Sequence, residues 1–231
     1  MMFQKKIGVI LAGSGVYDGS EIHEATLTLL SLDQQDVSVT CLSVDTDQHH
    51  VVDHTTQQEQ SGSKRNCLIE SGRISRGEVT ALDTIQVSDF DGFIFPGGFG
   101  VAKNLCSFAI DGINHTVHPQ ISSLIHEAHS QKKPMGFLCI SPVIPATLIP
   151  GVRLTIGSDS ETAQAIEKMG AHHVNTTVSE IVVDEKNYIV STPAYMLAGR
   201  ISELSKGIDN LVNQVVEWAK KPTTVSEKVV T

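Results

Sequence analysis

Along this chain, short apolar runs that end at glycine or proline alternate with longer segments in which apolar residues recur every three or four positions. An apolar run predicts a strand buried on both faces, and the helical spacing predicts an amphipathic helix. The predicted strands are residues 5–11, 36–44, 90–98, 134–139, 153–156 and two strands within 180–193. The predicted helices are residues 20–35, 64–74, 117–133, 141–148, 160–170 and 207–221, with Ser20 as the N-cap of the first.

The order of these elements indicates the fold class. Strands and helices alternate, which predicts an α/β fold: a doubly wound, mostly parallel sheet with helices on both faces. The polar, histidine-rich segment 45–65 has no period and predicts a loop or a hairpin insertion. There is no internal repeat and no Pro/Ser-rich linker, so we interpret residues 1–221 as one domain and residues 222–231 as a disordered polar tail.

Composition narrows the choice of partner and compartment. The chain has 17 basic and 26 acidic side chains and no basic cluster, so nucleic acid is not an expected partner. No apolar stretch reaches the ~18 residues of a membrane span, and we interpret the first apolar run as a strand, not as a signal peptide. The four cysteines lie far apart without a CxxC motif, which is typical of reduced thiols, and we therefore expect a cytoplasmic protein.

The segment KPMGFLCISP places Cys139 where a buried strand ends and a helix is predicted to begin. The free N–H groups and the dipole of a helix start favour a thiolate. The N–H of Ile140 would also face an oxygen that becomes negative when the thiolate attacks. This pattern indicates a nucleophile, and we expect Cys139 to be the most reactive of the four thiols. The alternative is a buried, inert thiol, which is the commoner fate of a cysteine.

Two other predicted strand ends carry candidate chemistry. Gly97 and Gly98 follow the strand FIFP, where they either aim N–H groups into a pocket or simply make a tight turn. A carboxylate in the segment after the first strand could orient a thiol, accept its proton or move a substrate proton. This segment carries Asp18, Glu21, His23 and Glu24. The helix dipole also explains acids at a helix start without any function. Because ligands of parallel α/β sheets bind at the carboxyl ends of strands, we expect these strand ends to form one site.

The histidines do not predict a metal centre. They fall in groups whose spacings lack a companion set of ligands such as HExxH. The groups are His49, His50 and His54; His126 and His129; and His172 and His173. We therefore expect no metal ion and no other cofactor.

Five stretches together resemble the ElbB family, the enhancing-lycopene-biosynthesis proteins known as glyoxalase ElbB. These stretches are GVILAGSGVYDGSEIHEA, FPGGFGVAKNL, GFLCISP, RLTIGSD and VSTPAYMLA. The resemblance runs from about Lys5 to about Trp218. It implies a PfpI-like domain with the flavodoxin-like fold of class I glutamine amidotransferases.

The resemblance also implies roles for particular residues. Cys139 matches the superfamily nucleophile, and Gly97 and Gly98 match glycines that help to form an oxyanion site. A glutamate at the start of the first helix contacts the thiol, and the match falls on Glu24 or, second, on Glu21. Many superfamily members have a histidine directly after the cysteine, where this chain has isoleucine, so a cysteine–histidine dyad of that form is absent.

The activity implied by the resemblance is glutathione-independent glyoxalase chemistry. Glyoxal, and other small 2-oxoaldehydes, would react with water to give the hydroxy acid, which is glycolate in the case of glyoxal. A link to isoprenoid biosynthesis and a homodimer are implied in the same way. Two alternatives stay open: a deglycase that acts on early carbonyl adducts, and a non-enzymatic thiol sensor of redox state or carbonyls that regulates isoprenoid production.

Overall fold

The computed structural model describes residues 5–220 of the chain. The strands are β1 (Lys6–Leu11), β2 (Ser38–Ser43), β3 (Val52–Asp53), β4 (Gln58–Glu59), β5 (Val79–Ala81), β6 (Gly92–Phe95), β7 (Met135–Leu138), β8 (Arg153–Leu154), β9 (His172–His173), β10 (Val182–Asp184) and β11 (Ile189–Thr192). The α-helices are α1 (Ile22–Asp33), α2 (Cys67–Ile74), α3 (Phe108–Asp111), α4 (Pro119–Ser130), α5 (Val143–Leu148), α6 (Ser160–Lys168) and α7 (Ile201–Lys220).

Seven of these strands form the central sheet in the order β10–β11–β7–β6–β1–β2–β5. Neighbouring strands are parallel, apart from β10, which runs antiparallel to β11. Two small pairs, β3–β4 and β8–β9, lie outside this sheet. The predicted fold class, a mostly parallel α/β sheet with helices on both faces, is confirmed.

Alternate residues of the five inner strands, β11, β7, β6, β1 and β2, enter two different hydrophobic cores, because successive side chains point to opposite faces of a sheet. Phe95 and Phe137 stack with ring centroids 4.7 Å apart in the core that also contains apolar residues of α4 and α5. Ile94 and Leu138 lie in the second core, which contains the buried stripe of α7. Burial on both faces explains why these strands are apolar throughout.

Several element boundaries differ from those that the sequence predicts. The N-cap of α1 is Glu21, not Ser20, since the Ser20 hydroxyl accepts a hydrogen bond from the Ala12 N–H instead. β5 is a strand of three half-buried residues, too short to show a period. β8 pairs with β9 and not with a strand of the central sheet. α7 begins at Ile201, six residues before the predicted start at Gly207.

Segment 45–65 contains the small β3–β4 hairpin, as one of its two interpretations predicted. Within residues 5–220, no helix is both long and apolar enough to cross a membrane. The predicted tail at 222–231 lies outside the described residues.

Candidate active site

The candidate site lies at the carboxyl edge of the sheet, where the turns after β1, β6, β7 and β11 meet. These four strands are neighbours in the sheet. Backbone hydrogen bonds join their turns: the Glu21 N–H donates to the Gly97 carbonyl at 2.9 Å, and the Cys139 N–H donates to the Thr192 carbonyl at 3.0 Å. The predicted meeting of strand ends therefore occurs, and it includes a fourth end, that of β11.

Cys139 follows the last residue of β7 and has a backbone φ of +59°. This left-handed conformation is unfavourable for a residue with a side chain, and such strain is often found at functional sites. The buried Ser141 hydroxyl holds the turn, because it accepts the Leu138 N–H at 2.8 Å and lies 2.9 Å from the Phe95 carbonyl, to which it can donate. The turn thus presents the Cys139 side chain between β6 and β11.

Glu24, in the first turn of α1, is completely buried beside Cys139. Its Oε2 accepts the Gly97 N–H at 2.7 Å, and its Oε1 accepts the Tyr195 N–H at 3.2 Å. The carboxyl group also makes a side-chain hydrogen bond with Cys139. Burial, and secondly the charge of Glu21, raise the pKa of Glu24 to about 7. A carboxyl group with this pKa exchanges a proton near neutral pH, as a general base must.

The Cys139 sulfur lies against the N–H groups of Gly98 and Ile140, both of which favour the thiolate. Burial has the larger effect, and the negative charge of Glu24 adds to it, so that the pKa of the Cys139 thiol is raised well above its usual value. The expectation that a helix start stabilises a free thiolate here is therefore wrong. α5 begins only at Val143, and the sulfur faces a buried carboxylate, not open solvent.

Burial also raises the pKa of the other three thiols, to about 11 for Cys41 and about 12 for Cys67 and Cys106. All four cysteines are buried. Among them, Cys139 combines a proton acceptor at the sulfur with two N–H groups. Its predicted reactivity therefore depends on transfer of the proton to Glu24 and not on a standing thiolate.

The two glycines after β6 have different positions in the site. A Cβ on Gly97 would overlap Cys139 Cβ and lie 2.7 Å from Glu24 Oε2, so only glycine allows this approach. The Gly97 N–H is taken by Glu24, and it therefore orients the carboxylate and does not face the oxyanion position. Gly98 has a φ of +100°, which glycine adopts freely, and its N–H points to the sulfur. The N–H groups of Gly98 and Ile140 are those placed beside the reacting atom.

Glu21 and Glu24 do not share one role. Glu21 is the N-cap of α1, and its Oε2 accepts the Glu24 N–H at 2.7 Å. Its side chain faces the backbone of the helix start, whereas that of Glu24 faces the thiol. Glu21 acts on the pair through its charge, which raises the pKa of Glu24.

The remaining candidate residues lie outside this cluster. Asp18 is buried and accepts the Val52 N–H at 2.7 Å, which ties the first loop to the β3 strand. Over residues 5–220, no three His, Cys, Asp or Glu side chains come together as metal ligands.

Sequence reasoning missed the contribution of the turn at residues 193–198, which follows β11. Ala194 is buried with a φ of +47°, and the next N–H, that of Tyr195, donates to Glu24. The Tyr195 hydroxyl lies 2.8 Å from Nδ1 of His23 on α1. The sequence signal for this segment is its position at the end of a fourth predicted strand. The donor itself leaves no signal, because a backbone N–H is not tied to a residue type.

Taken together, the site is a buried thiol and a buried carboxyl group that share a hydrogen bond, with two N–H groups beside the sulfur. This arrangement can add a thiol to an electrophilic carbon while the carboxylate takes the proton. The N–H groups can then stabilise the oxyanion that forms.

Comparison with known proteins found close sequence relatives. The chain is 40% identical over 225 residues to the rat ES1 protein homolog, mitochondrial, and covers 85% of it with 94% of its own length. It is also 40% identical over 225 residues to the human mitochondrial glutamine amidotransferase-like class 1 domain-containing protein 3, with coverage of 94% and 84%. The zebrafish mitochondrial ES1 protein is 30% identical over 233 residues. No family model matches the chain.

Solved structures agree with the sequence matches. An isoprenoid biosynthesis protein with an amidotransferase-like domain from Ehrlichia chaffeensis superposes with a TM-score of 0.86 at 38% identity, over 94% of this chain and all of that one. Drosophila melanogaster DJ-1beta superposes with a TM-score of 0.54 at 18% identity, over 94% of this chain and 97% of that one, which shows a shared fold.

These relatives correct one expectation and confirm another. The cytoplasmic location expected from the reduced cysteines is wrong by this comparison, because the three sequence relatives are mitochondrial proteins. Reduced thiols do not distinguish one reducing compartment from another. The fold implied by the motifs is confirmed. The chain belongs to the family represented by the ES1 proteins and glutamine amidotransferase-like class 1 domain-containing protein 3, and it has the class I glutamine amidotransferase-like fold of the DJ-1/PfpI proteins.

Proposed function

We propose that this protein is a glutathione-independent glyoxalase that converts glyoxal and water to glycolate with Cys139 as the nucleophile. The observation that carries the proposal is the buried hydrogen bond between Cys139 and Glu24, with the N–H groups of Gly98 and Ile140 at the sulfur. The motif resemblance to the ElbB proteins supports the choice of a small 2-oxoaldehyde as substrate.

The first step is addition of the thiol to one aldehyde carbon. Glu24 takes the thiol proton, the sulfur–carbon bond forms, and the carbonyl electron pair becomes an alkoxide beside the Gly98 and Ile140 N–H groups. A pKa near 7 suits Glu24 to this role, because a base works best when its pKa lies near the operating pH. Glu24 then gives this proton to the alkoxide, so that the product of the step is a neutral hemithioacetal and the carboxylate is restored.

The second step moves hydrogen between the two substrate carbons. Glu24 removes the proton from the carbon bonded to sulfur and returns it to the neighbouring carbon by way of an enediol, while the hydroxyl proton passes from the first oxygen to the second. One carbon is thereby oxidised to the thioester level and the other is reduced to an alcohol, so no external oxidant or reductant is needed. Water then hydrolyses the thioester, which releases glycolate and restores the thiol.

The site offers less support for amide hydrolysis. That chemistry protonates a leaving nitrogen, commonly from a histidine paired with the cysteine. In this chain Ile140 follows the cysteine.

The experiment is steady-state glyoxal consumption with glycolate quantified, by the wild type beside Cys139→Ser and Cys139→Ala. We expect multiple turnovers and stoichiometric glycolate from the wild type and neither from the two variants. One equivalent of glyoxal consumed without turnover would instead indicate a thiol sensor. Release of amine from a glycated peptide without direct consumption of free glyoxal would indicate a deglycase.

A homodimer and a link to isoprenoid production remain proposals that rest on resemblance. The Ehrlichia chaffeensis protein is described as an isoprenoid biosynthesis protein, which supports the second of them. Sedimentation of the purified chain tests the first, and isoprenoid yield in cells that carry Cys139→Ala tests whether the thiol is needed for the second.

A further inference from the structure

Tyr195 makes two hydrogen bonds to the first turn of α1. Its N–H donates to Glu24 Oε1 at 3.2 Å, and its hydroxyl lies 2.8 Å from Nδ1 of His23. The two rings are tilted by 48° with centroids 5.9 Å apart, so they are neighbours at the surface of the site. Tyr195 therefore connects the carboxyl group of Glu24 to the side chain of His23, the residue that precedes it in the chain.

The turn that carries Tyr195 is not in a relaxed conformation. Ala194 is fully buried at a φ of +47°, a region that residues with a Cβ rarely adopt. This conformation turns the following N–H toward Glu24. A strained turn persists only when its surroundings hold it, and the bond between Tyr195 and His23 ties its side chain to α1.

We propose that Tyr195 and His23 form a positioning clamp that keeps the Tyr195 N–H on Glu24 and thereby sets how a proton is divided between Glu24 and Cys139. The proposal rests on the roles proposed for Cys139 and Glu24. Its consequence can be measured on the thiol itself, without any turnover.

The direction of the effect follows from the charges at the site. The titratable groups that act on Glu24 are Glu21 on its own helix and Cys139 from the turn after β7, and those in the clamp are His23 and Tyr195. An N–H donor stabilises the ionised carboxylate, so its loss raises the pKa of Glu24 further. The proton of the pair then moves toward Glu24 and the negative charge toward the sulfur. Weakening the clamp therefore increases the fraction of Cys139 that is thiolate. It also decreases the fraction of Glu24 that is ionised and can act as a base.

Tyr195 itself remains a neutral phenol between about pH 5 and pH 9. Burial, together with the charges of Glu21 and Glu24, raises its pKa above the ordinary value. Its hydroxyl can therefore serve as the donor to His23 at any pH at which the protein would be assayed.

The test is the rate of Cys139 alkylation by iodoacetamide, followed by peptide mapping over about pH 5 to 9. The variants Tyr195→Phe and His23→Ala each remove one partner of the clamp. His23→Asn keeps an acceptor close to the position of Nδ1. Tyr188→Phe is the matched control, because Tyr188 packs against Trp218.

We expect Tyr195→Phe and His23→Ala each to speed alkylation about three- to tenfold near pH 9, the size of a weakened hydrogen bond to a charged group, and by at most about twofold at pH 7, where Glu24 is already about half protonated in the wild type. The double variant should be no faster than either single variant. His23→Asn and Tyr188→Phe should stay near the wild-type rate.

Unchanged or slower alkylation in Tyr195→Phe and His23→Ala would overturn the proposal, and so would additive effects in the double variant. His23→Ala changes an exposed side chain, so it remains informative if Tyr195→Phe folds poorly. Glyoxal turnover is measured in parallel. A wild type without turnover whose variants still show faster alkylation would refute the glyoxalase and leave the clamp standing. A wild type with turnover whose variants label normally would refute the clamp alone.

Discussion

The turn after β7 and the turn after β11 lie side by side and have the same unusual backbone feature. Each contains a buried, non-glycine residue in the left-handed region, Cys139 with a φ of +59° and Ala194 with a φ of +47°. Each also contacts Glu24. They differ in what they supply, because the first turn presents a thiol side chain and the second presents the N–H of Tyr195.

This difference shows that one group of the site can react with a substrate, whereas other groups set the electrostatics around it. The thiol can form a bond with a substrate, whereas the N–H of Tyr195 and the N–H of Gly97 hold the carboxylate that receives the proton. Without those two donors, the buried Glu24 would keep its proton even more strongly. The two strained turns therefore supply different groups to the same proton transfer, one the thiol and the other the N–H of Tyr195.

The largest expected effect comes from removing the proton acceptor that both turns contact. Glu24→Gln should lower glyoxal turnover about 100- to 10,000-fold, the usual contribution of a general base. Glu21→Gln should have a much smaller effect, because Glu21 caps the helix and contacts no reacting atom. Steady-state kinetics of both variants, with glycolate as the product, give the comparison.

The pH profile sharpens this prediction. The charge of Glu21 raises the pKa of Glu24, so Glu21→Gln should move the acid limb of kcat/KM, near pH 7 in the wild type, to lower pH. A collapse of turnover in Glu21→Gln beside near wild-type turnover in Glu24→Gln would exchange the roles of the two acids.

An intermediate effect is expected on stability. The pKa of Glu24 is about 7 in the folded protein against 4.5 as the ordinary value, so the folded state holds this proton more tightly. The stability that results is present in full below pH 4.5 and is lost as the pH rises through about 7, in total roughly 3 kcal/mol. Urea unfolding at several pH values should show that this loss is absent in Glu24→Gln. A wild type and a Glu24→Gln variant with parallel pH dependence would contradict the raised pKa.

The smallest effect is expected at the strained residue without side-chain chemistry. Ala194→Gly relieves the left-handed backbone but removes a buried methyl group and adds freedom to the unfolded chain. These terms oppose each other, so the free energy of unfolding should change by less than about 1 kcal/mol. Denaturant unfolding measures the difference. A loss above about 2 kcal/mol would show that the methyl contact, and not the backbone conformation, is what this position requires.

Much of the fold could be predicted from the sequence, because buried strands and amphipathic helices leave periodic patterns. The runs at β1, β6 and β7 are apolar on both faces and were predicted correctly. β5 was missed, since three half-buried residues show no period. The pairing of β8 with β9 was missed because it depends on residues that are distant in the sequence.

The candidate site likewise has features that the sequence predicts and features that it does not. Cys139, Gly98 and Glu24 belong to residue types whose chemistry or conformational freedom can be recognised, and the order of the strands brings them together. The donor from Tyr195 could not be predicted, because every residue except proline has a backbone N–H. The raised pKa of Cys139 was also unpredictable from position alone, since it comes from burial and from a carboxylate on another element.

The most direct test of the nucleophile is to find where the substrate becomes attached. Wild-type protein and Glu24→Gln are mixed with glyoxal, quenched in acid within the first turnovers and mapped by peptide mass spectrometry. If Cys139 is the nucleophile, the mass of one glyoxal is added during turnover to the peptide that contains Cys139, with no such addition at Cys41, Cys67 or Cys106. Turnover with that peptide unmodified at every time point, or with the addition at another cysteine, would contradict the role of Cys139.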